Sequence, residues 1–262
     1  MRIAITRQVS PEIGRCELSY LEREPIDAGL AERQHLAYER CLADLGCAVT
    51  SLPPEPALPD SVFVEDTAIV LDGLAVITFP GAASRRAETA SVAAALAPWR
   101  PLFHFGAQGT LDGGDVLVVG RRIFVGRSLR SDEAGYVQLR DLLAPRGYTV
   151  AAVAMHGCLH LKSAVTAVTA DLLLVNPAWV DGSAFAGLGI LEVDPSEPHA
   201  ANALRIGEVV VFPAAFERTR RRLEGAGVGV ATVDVSELAK AEGAVTCCSL
   251  VFEAERGEGP AA

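Results

Sequence analysis

The chain has 262 residues, half of them apolar, with 33 acidic against 23 basic side chains and a net charge of −10. That length allows one large domain or two small ones around a substantial core. The acidic balance, with no basic stripe, argues against a nucleic-acid partner.

In chain order, Arg2–Arg7 reads as a short alternating strand. It is too short an apolar run for a signal peptide, and no window is long enough to span a bilayer, so a cytoplasmic location is expected. Residues 30–46 carry apolar side chains at Leu30, Leu36, Ala37, Cys41, Leu42 and Leu45, a helical stripe closed by Gly46. Cys47–Leu52 follows as a strand, then a rigid proline-rich connection over residues 53–59. Residues 60–70 read as a strand that carries two consecutive carboxylates, Glu65 and Asp66. Asp72-Gly73 is a hairpin signal, residues 74–78 return as a strand, and a helix over 84–96 leads to a strand over 101–105.

The same order recurs. Residues 110–115 lead into strands at 116–119 and 123–125, a helix over 132–143 and a strand over 148–153. Residues 158–163 open strands at 164–169 and 172–175, a short helix-like piece and a strand over 190–193. Residues 199–202 open strands at 203–206 and 209–212, a helix over 216–223 and a strand over 228–233. Finally, residues 245–252 (V-T-C-C-S-L-V-F) read as a strand, which the N-terminal strand and helix complete. On such a strand Cys247 and Cys248 face opposite ways.

Each unit is strand, hairpin, strand, helix, strand, and each brings one polar residue to the same place. Glu65, Asp112, His160, Asn202 and Cys247 recur about every 42 to 48 residues, the spacing of a repeat architecture. Five such units around an axis make one closed, propeller-like α/β domain over residues 1–253, with no exposed sheet edge and a tail over 254–262. Closure gathers the five polar positions near the axis. A site is expected there.

The gathered set is Glu65, Asp66, Asp112, Asp115, His160 and Cys247. A thiol becomes a nucleophile when its pKa is lowered, and an imidazolium or a cationic substrate can do that. A carboxylate on the second nitrogen of His160 would fix its tautomer, and Asp112 is the candidate. Glu65 and Asp66, as strand neighbours, face opposite sides and cannot share one role equally. Arg85 and Arg130 each follow a hairpin near a helix start, where they are solvated arginines or forks for a substrate carboxylate. Gly113-Gly114 suits backbone meeting backbone at a crowded axis. The six cysteines (16, 41, 47, 158, 247, 248) form no C-x-x-C pair, and the spacing of structural zinc sites is absent. Reduced thiols, no metal and no cofactor are expected.

Five ordered motifs carry a family resemblance: D-S-V-F-V-E-D at 60–66, P-G-A-A-S-R-R at 80–86, T-L-D-G-G-D-V-L at 110–117, L-H-L-K-S at 159–163 and V-T-C-C-S-L at 245–250. Together they resemble the dimethylarginine dimethylaminohydrolases, members of the guanidine-modifying (pentein) superfamily with a five-bladed α/β-propeller of ββαβ repeats. The resemblance implies that Cys247 is the nucleophile, His160 the general acid and base, and Asp112 the residue that orients the imidazole. It implies that Asp66, helped by Glu65, holds the guanidinium, that Arg85 and Arg130 clamp the α-carboxylate, and that Asp60 holds the amino-acid end with backbone near Leu18 and Ala241. Cys248 is then the core-facing neighbour. The implied reaction is hydrolysis of mono- or asymmetric dimethylarginine to citrulline through a covalent cysteine intermediate. The implied partner is a small cationic amino acid, the implied assembly a monomer or homodimer.

The chain departs from the family pattern at three places. Asp112 stands where some bacterial members carry Glu, Phe79 where Arg is expected, and Ser131-Asp132 where Thr-Asn is more usual; Asp132 is expected to weaken the carboxylate clamp. Three rivals follow from the same residues: a pentein acting on another guanidino or ureido compound, a non-catalytic amino-acid binder, and a zinc or redox protein built on the adjacent cysteines.

Overall fold

The computed structural model describes residues 1–254. Five three-stranded sheets surround a common axis, and in each an antiparallel pair is joined by a third, parallel strand. The first blade contains Ala68–Leu71, Leu74–Ile77 and Leu102–His104; the second Val116–Val119, Arg122–Arg127 and Thr149–Ala154. The third contains Val165–Ala167, Leu172–Val175 and Gly189–Glu192; the fourth Leu204–Ile206, Val209–Pro213 and Gly229–Val233. A crossover segment precedes each third strand: a helix in four blades, and in the third blade only the 3₁₀ turn Gly182–Phe185.

The fifth blade closes the ring from both ends of the chain. Leu250–Glu253 runs antiparallel to Arg2–Arg7, with Ile5 opposite Leu250 and Arg2 opposite Glu253, and Cys47–Leu52 adds the parallel strand. Ala254, assigned to the tail on sequence grounds, is buried instead and exchanges two hydrogen bonds with the backbone of Met1. The rest of the expected tail, 255–262, lies outside the described residues.

Local chemistry explains the hairpins. Gly73, Gly120 and Gly207 take positive φ (78°, 59° and 64°) at the tips of the first, second and fourth blades, a conformation that costs a side-chain-bearing residue more than glycine. Apolar clusters fill the spaces between neighbouring blades; one, for example, combines Leu117 and Phe124 of the second blade with Val165 and Leu173 of the third.

Two sequence expectations are corrected. The helix Ala28–Asp44 buries Ala31, Gln34, His35, Tyr38 and Leu42, while the predicted stripe residue Leu36 is exposed. The face is rotated, and two of its polar members, Gln34 and Tyr38, find partners. Gln34 bonds Ser236 and the amide of Glu237, and the Tyr38 hydroxyl donates to Val245 O. Such satisfied groups can be buried at little cost.

The second correction concerns the polar position of each unit. Only Leu250–Glu253 is strand; residues 245–249 form a turn in which Cys247 N–H donates to Ala244 O. Glu65 and Asp66 likewise lie on a 3₁₀ turn, Val64–Thr67, and His160 is the N-cap of a one-turn helix, Leu161–Ala164. Gly113–Asp115 is a third such turn. The axis is therefore lined by turns that feed the inner strands, not by strand faces. Turns leave amides and side chains free to point along the axis, which paired strands do not.

Candidate active site

Four of these turns meet at one end of the axis. His160 Nε2 lies 3.1 Å from Asp112 Oδ2, and Nδ1 lies 3.7 Å from Asp66 Oδ1, so the imidazole sits between two carboxylates. Asp112 is held in turn: Oδ1 accepts Gly81 N–H at 2.9 Å, and its own N–H donates to Ser131 Oγ. Gly114 makes this approach possible, because a Cβ there would lie 2.7 Å from both Asp66 Oδ1 and His160 Nδ1. At Gly113 a Cβ would meet Glu65 O at 2.0 Å. The glycine pair fits the crowded axis that the sequence suggests.

Cys247 shares a small cavity with Asp60, Asp66, Arg85, Arg130 and His160, bordered also by Ala241. Its neighbour Cys248 is fully buried in the core, so the two thiols do part, through a turn and not through strand alternation. Asp112 stands behind His160, outside the cavity lining. Leu18 packs against the core beside the rim, and the amide of Glu17 bonds the Asp60 carboxylate.

The electrostatics divide the groups. Burial disfavours the imidazolium of His160, but Asp66, Asp115 and Asp112 outweigh it and raise its pKa to about 9. Burial, then Glu65 and Asp66, push the Cys247 thiol up to about 12. Burial alone would raise Asp66; His160, Arg85 and the Gly114 amide overcome this and leave it lowered to about 2. In the free protein the site thus holds a thiol, an imidazolium and a carboxylate at neutral pH.

Arg85 is fully partnered. Its guanidinium bonds Asp66, Glu88 and the carbonyls of Phe63 and Asp60. Arg130 is buried with a lighter set, its Nη2 donating to Ser19 Oγ at 3.2 Å. Asp66, Asp112 and His160 offer metal-ligand atoms within 4.8 Å of one another, yet Arg85 already places a cation on Asp66.

Glu65 turns the other way. Its carboxylate accepts from Lys162 Nζ at 2.6 Å and Thr246 Oγ1 at 2.7 Å, and it lines a separate cavity on the far side of the axis. Asn202, the fourth blade's polar marker, clasps the side chain and amide of Thr246. It braces the turn that carries Cys247.

Two family departures have local reasons. Asp132 caps the helix Glu133–Leu143, accepting Gly135 N–H at 2.8 Å, so its charge answers the helix N-terminus. Phe79 lies under the Arg86 guanidinium at 4.1 Å and pairs its backbone with Leu111.

Several supporting residues were not singled out from sequence. Lys162 follows His160 by two positions within the quoted L-H-L-K-S. Glu88 stands three residues after Arg85, the i,i+3 spacing of a helical ion pair. Ser128 and Ser131 both donate to Asp115 Oδ2, whose Oδ1 accepts Leu161 N–H; the sequence marked Asp115 and noted Ser131 only as a family departure, and nothing in it pointed to Ser128.

A ring of five ββαβ blades with thiol, imidazole and carboxylates at its axis defines a pentein, the α/β-propeller class of guanidine-modifying proteins. No protein-family model matches the chain. It is 38% identical to the N(G),N(G)-dimethylarginine dimethylaminohydrolase of Streptomyces coelicolor, over 94% of this chain and 95% of that one. It is 36% identical to the Pseudomonas aeruginosa protein of the same name, over 86% and 90%. The solved structure of the Pseudomonas aeruginosa protein with citrulline superimposes with a TM-score of 0.91 at 33% identity, covering 95% of this chain and 98% of that chain. The N-terminal domain of a cyanobacterial arginine dihydrolase shares the fold alone, with a TM-score of 0.83 at 16% identity. The chain belongs to the dimethylarginine dimethylaminohydrolase family.

Proposed function

We propose that the protein hydrolyses Nω-monomethyl- and asymmetric dimethyl-L-arginine to L-citrulline and the corresponding methylamine. One observation carries this reading: an imidazole between two buried carboxylates opens onto the same small cavity as a cysteine whose neighbours are anionic. Such a cavity suits a planar cation.

The guanidinium lies against Asp66, while Glu65, expected to help hold it, turns to the rear and is paired with Lys162. Arg130, with Arg85 behind it, attracts the α-carboxylate, and Asp60 with the backbone near Leu18 and Ala241 receives the α-ammonium. The bound cation cancels the carboxylate field that keeps the Cys247 thiol protonated, and the thiol gives its proton to solvent as substrate arrives. The thiolate attacks the central guanidinium carbon. His160, already an imidazolium, protonates the departing amine as the C–N bond breaks, leaving an S-alkylthiouronium on Cys247. The neutral His160 then takes a proton from water, which adds to the same carbon. Collapse breaks the C–S bond and releases citrulline and the thiolate, which takes up the proton lost by the adduct's hydroxyl and restores the thiol. Asp112 keeps the imidazole in one orientation through both halves.

These roles use side chains from four blades, so the whole ring, residues 1–254, works as one catalytic domain without a cofactor. The cytoplasm, where thiols stay reduced, is the compartment we infer for it. Among the described residues no helix is long and apolar enough to cross a membrane.

The test is citrulline release by the metal-free protein from monomethylarginine, asymmetric dimethylarginine, arginine and agmatine, with Cys247→Ser as control. Turnover of the methylated substrates, lost in the variant, is expected. Labelling of Cys247 by a haloacetamidine without turnover of any of the four would retain the chemistry and overturn the substrate. Silence in both assays would leave a binding protein.

A further inference from the structure

Residues 17–21 cross the rim of the cavity, and one side chain takes three of their amides. Glu242 accepts the N–H groups of Ser19 at 3.0 Å, Tyr20 at 2.5 Å and Leu21 at 2.7 Å on one carboxylate oxygen, while the other oxygen also receives Ser19 N–H at 3.1 Å. Three successive amides turned toward one point form a concavity for an anion. All three residues lie at the surface, where their amides would otherwise face water.

The backbone of Glu242 adds an independent observation. Its φ is 58°, the one positive value outside glycine among the described residues. It closes the helix Ser236–Ala239, with the amides of Ala241 and Gly243 both donating to Leu238 O. Glycine or asparagine is the usual residue at such a helix end. A glutamate kept in a left-handed conformation beside a site points to a use for its side chain. That conformation aims the carboxylate away from the helix and across the rim, between Ala241 and the run that leads to Cys247.

We propose that Glu242 is a positioning residue that latches the segment 17–21 over the cavity, so that substrate entry and product exit each require its three amide bonds to break. The segment is held elsewhere by Asp60 on Glu17 N–H and by Arg130 on Ser19 Oγ. Those two groups also meet the proposed substrate, whereas the Glu242 carboxylate, at the cavity border, is given to the amides of the segment. The kinetic consequence rests on the hydrolase reading; the latch itself does not.

Amide hydrogen exchange on the free protein, followed residue by residue, tests it. Glu242→Gly suits the backbone and deletes the carboxylate. Protection of the Ser19, Tyr20 and Leu21 amides is expected to fall at least about tenfold, with protection of the strands Arg2–Arg7 and Leu250–Glu253 unchanged. Glu242→Gln, which keeps the acceptor but not the charge, is expected to fall between the two. KM for monomethylarginine should rise about tenfold in Glu242→Gly while kcat is preserved or increased, a split that loss of a merely structural residue does not give. Equal exchange of the three amides in wild type and Glu242→Gly would overturn the proposal. Loss of protection throughout the ring would also overturn it, by making Glu242 a residue of the fold. The exchange result stands whether or not methylarginine is turned over.

Discussion

Glu65 and Asp66 are consecutive in the chain and serve opposite sides of the axis. Asp66 faces the cavity, lowered to about 2 and bonded to Arg85 beside His160. Glu65 faces the rear, raised by burial and tied to Lys162 and Thr246. Cys247 and Cys248 repeat the division, one at the cavity and one in the core. The front holds charges in the arrangement that a cationic substrate completes; the rear pairs its charges internally and holds the turns in place. The same residue types thus divide into chemistry and scaffold by the direction of a turn.

The comparison can be broken most forcefully at the two cysteines. Cys247→Ala is expected to lower kcat by 10⁴-fold or more, since no other group can form the covalent intermediate. His160→Gly should cost nearly as much. Asp66→Asn is expected to reduce kcat/KM by roughly 10²- to 10³-fold, as it removes the charge that holds the guanidinium and opposes His160. Steady-state citrulline assays check all three, and full activity in Asp66→Asn would undo the front assignment.

At the rear the effect should fall on stability. Lys162→Met leaves Glu65 buried without its cation and is expected to cost about 3 to 5 kcal/mol in urea unfolding. Adding Glu65→Gln should restore most of that loss. A catalytic defect in Lys162→Met as deep as in Asp66→Asn, with unchanged stability, would mean that the rear pair belongs to the chemistry.

The pH dependence separates the sides more gently. In the free enzyme His160 sits near 9 and Cys247 near 12, so both hold protons at pH 7, and the reactive pair must lose one. kcat/KM should therefore rise about tenfold per pH unit toward pH 9 and then level, the first step belonging to the coupled pair. A flat profile between pH 7 and 9 would contradict the anionic field at the front. For stability the sign is opposite: His160 is raised above its ordinary 6.5, so the stabilisation is complete below that pH and is lost as pH climbs through about 9. The smallest effect is expected for Cys248→Ala, with kcat within about twofold and a modest loss of stability from the core.

The sequence made the ring legible because every blade repeats the same short strands, hairpin and polar marker, and periodicity survives in the letters. It also marked Cys247, His160, Asp112 and Asp66 as neighbours. The turns were misread as strands because β-branched and apolar residues such as Val245, Thr246 and Val64 suit strands, and the bonds that bend them come from distant residues such as Tyr38. The full enclosure of Arg85 was hidden for the same reason: Asp66 and the carbonyls of Asp60 and Phe63 reach it only once the chain has folded. Glu242 left no signal, since nothing in E-G-A-V announces a left-handed glutamate.

The most direct measurement is rapid acid quench of the enzyme with asymmetric dimethylarginine, followed by fragmentation of the peptide that carries both cysteines. A thiouronium mass on Cys247, formed at the rate of dimethylamine release and absent from Cys248, is expected. Turnover to citrulline with no adduct at any time, or an adduct on Cys248, would contradict the front-and-rear division.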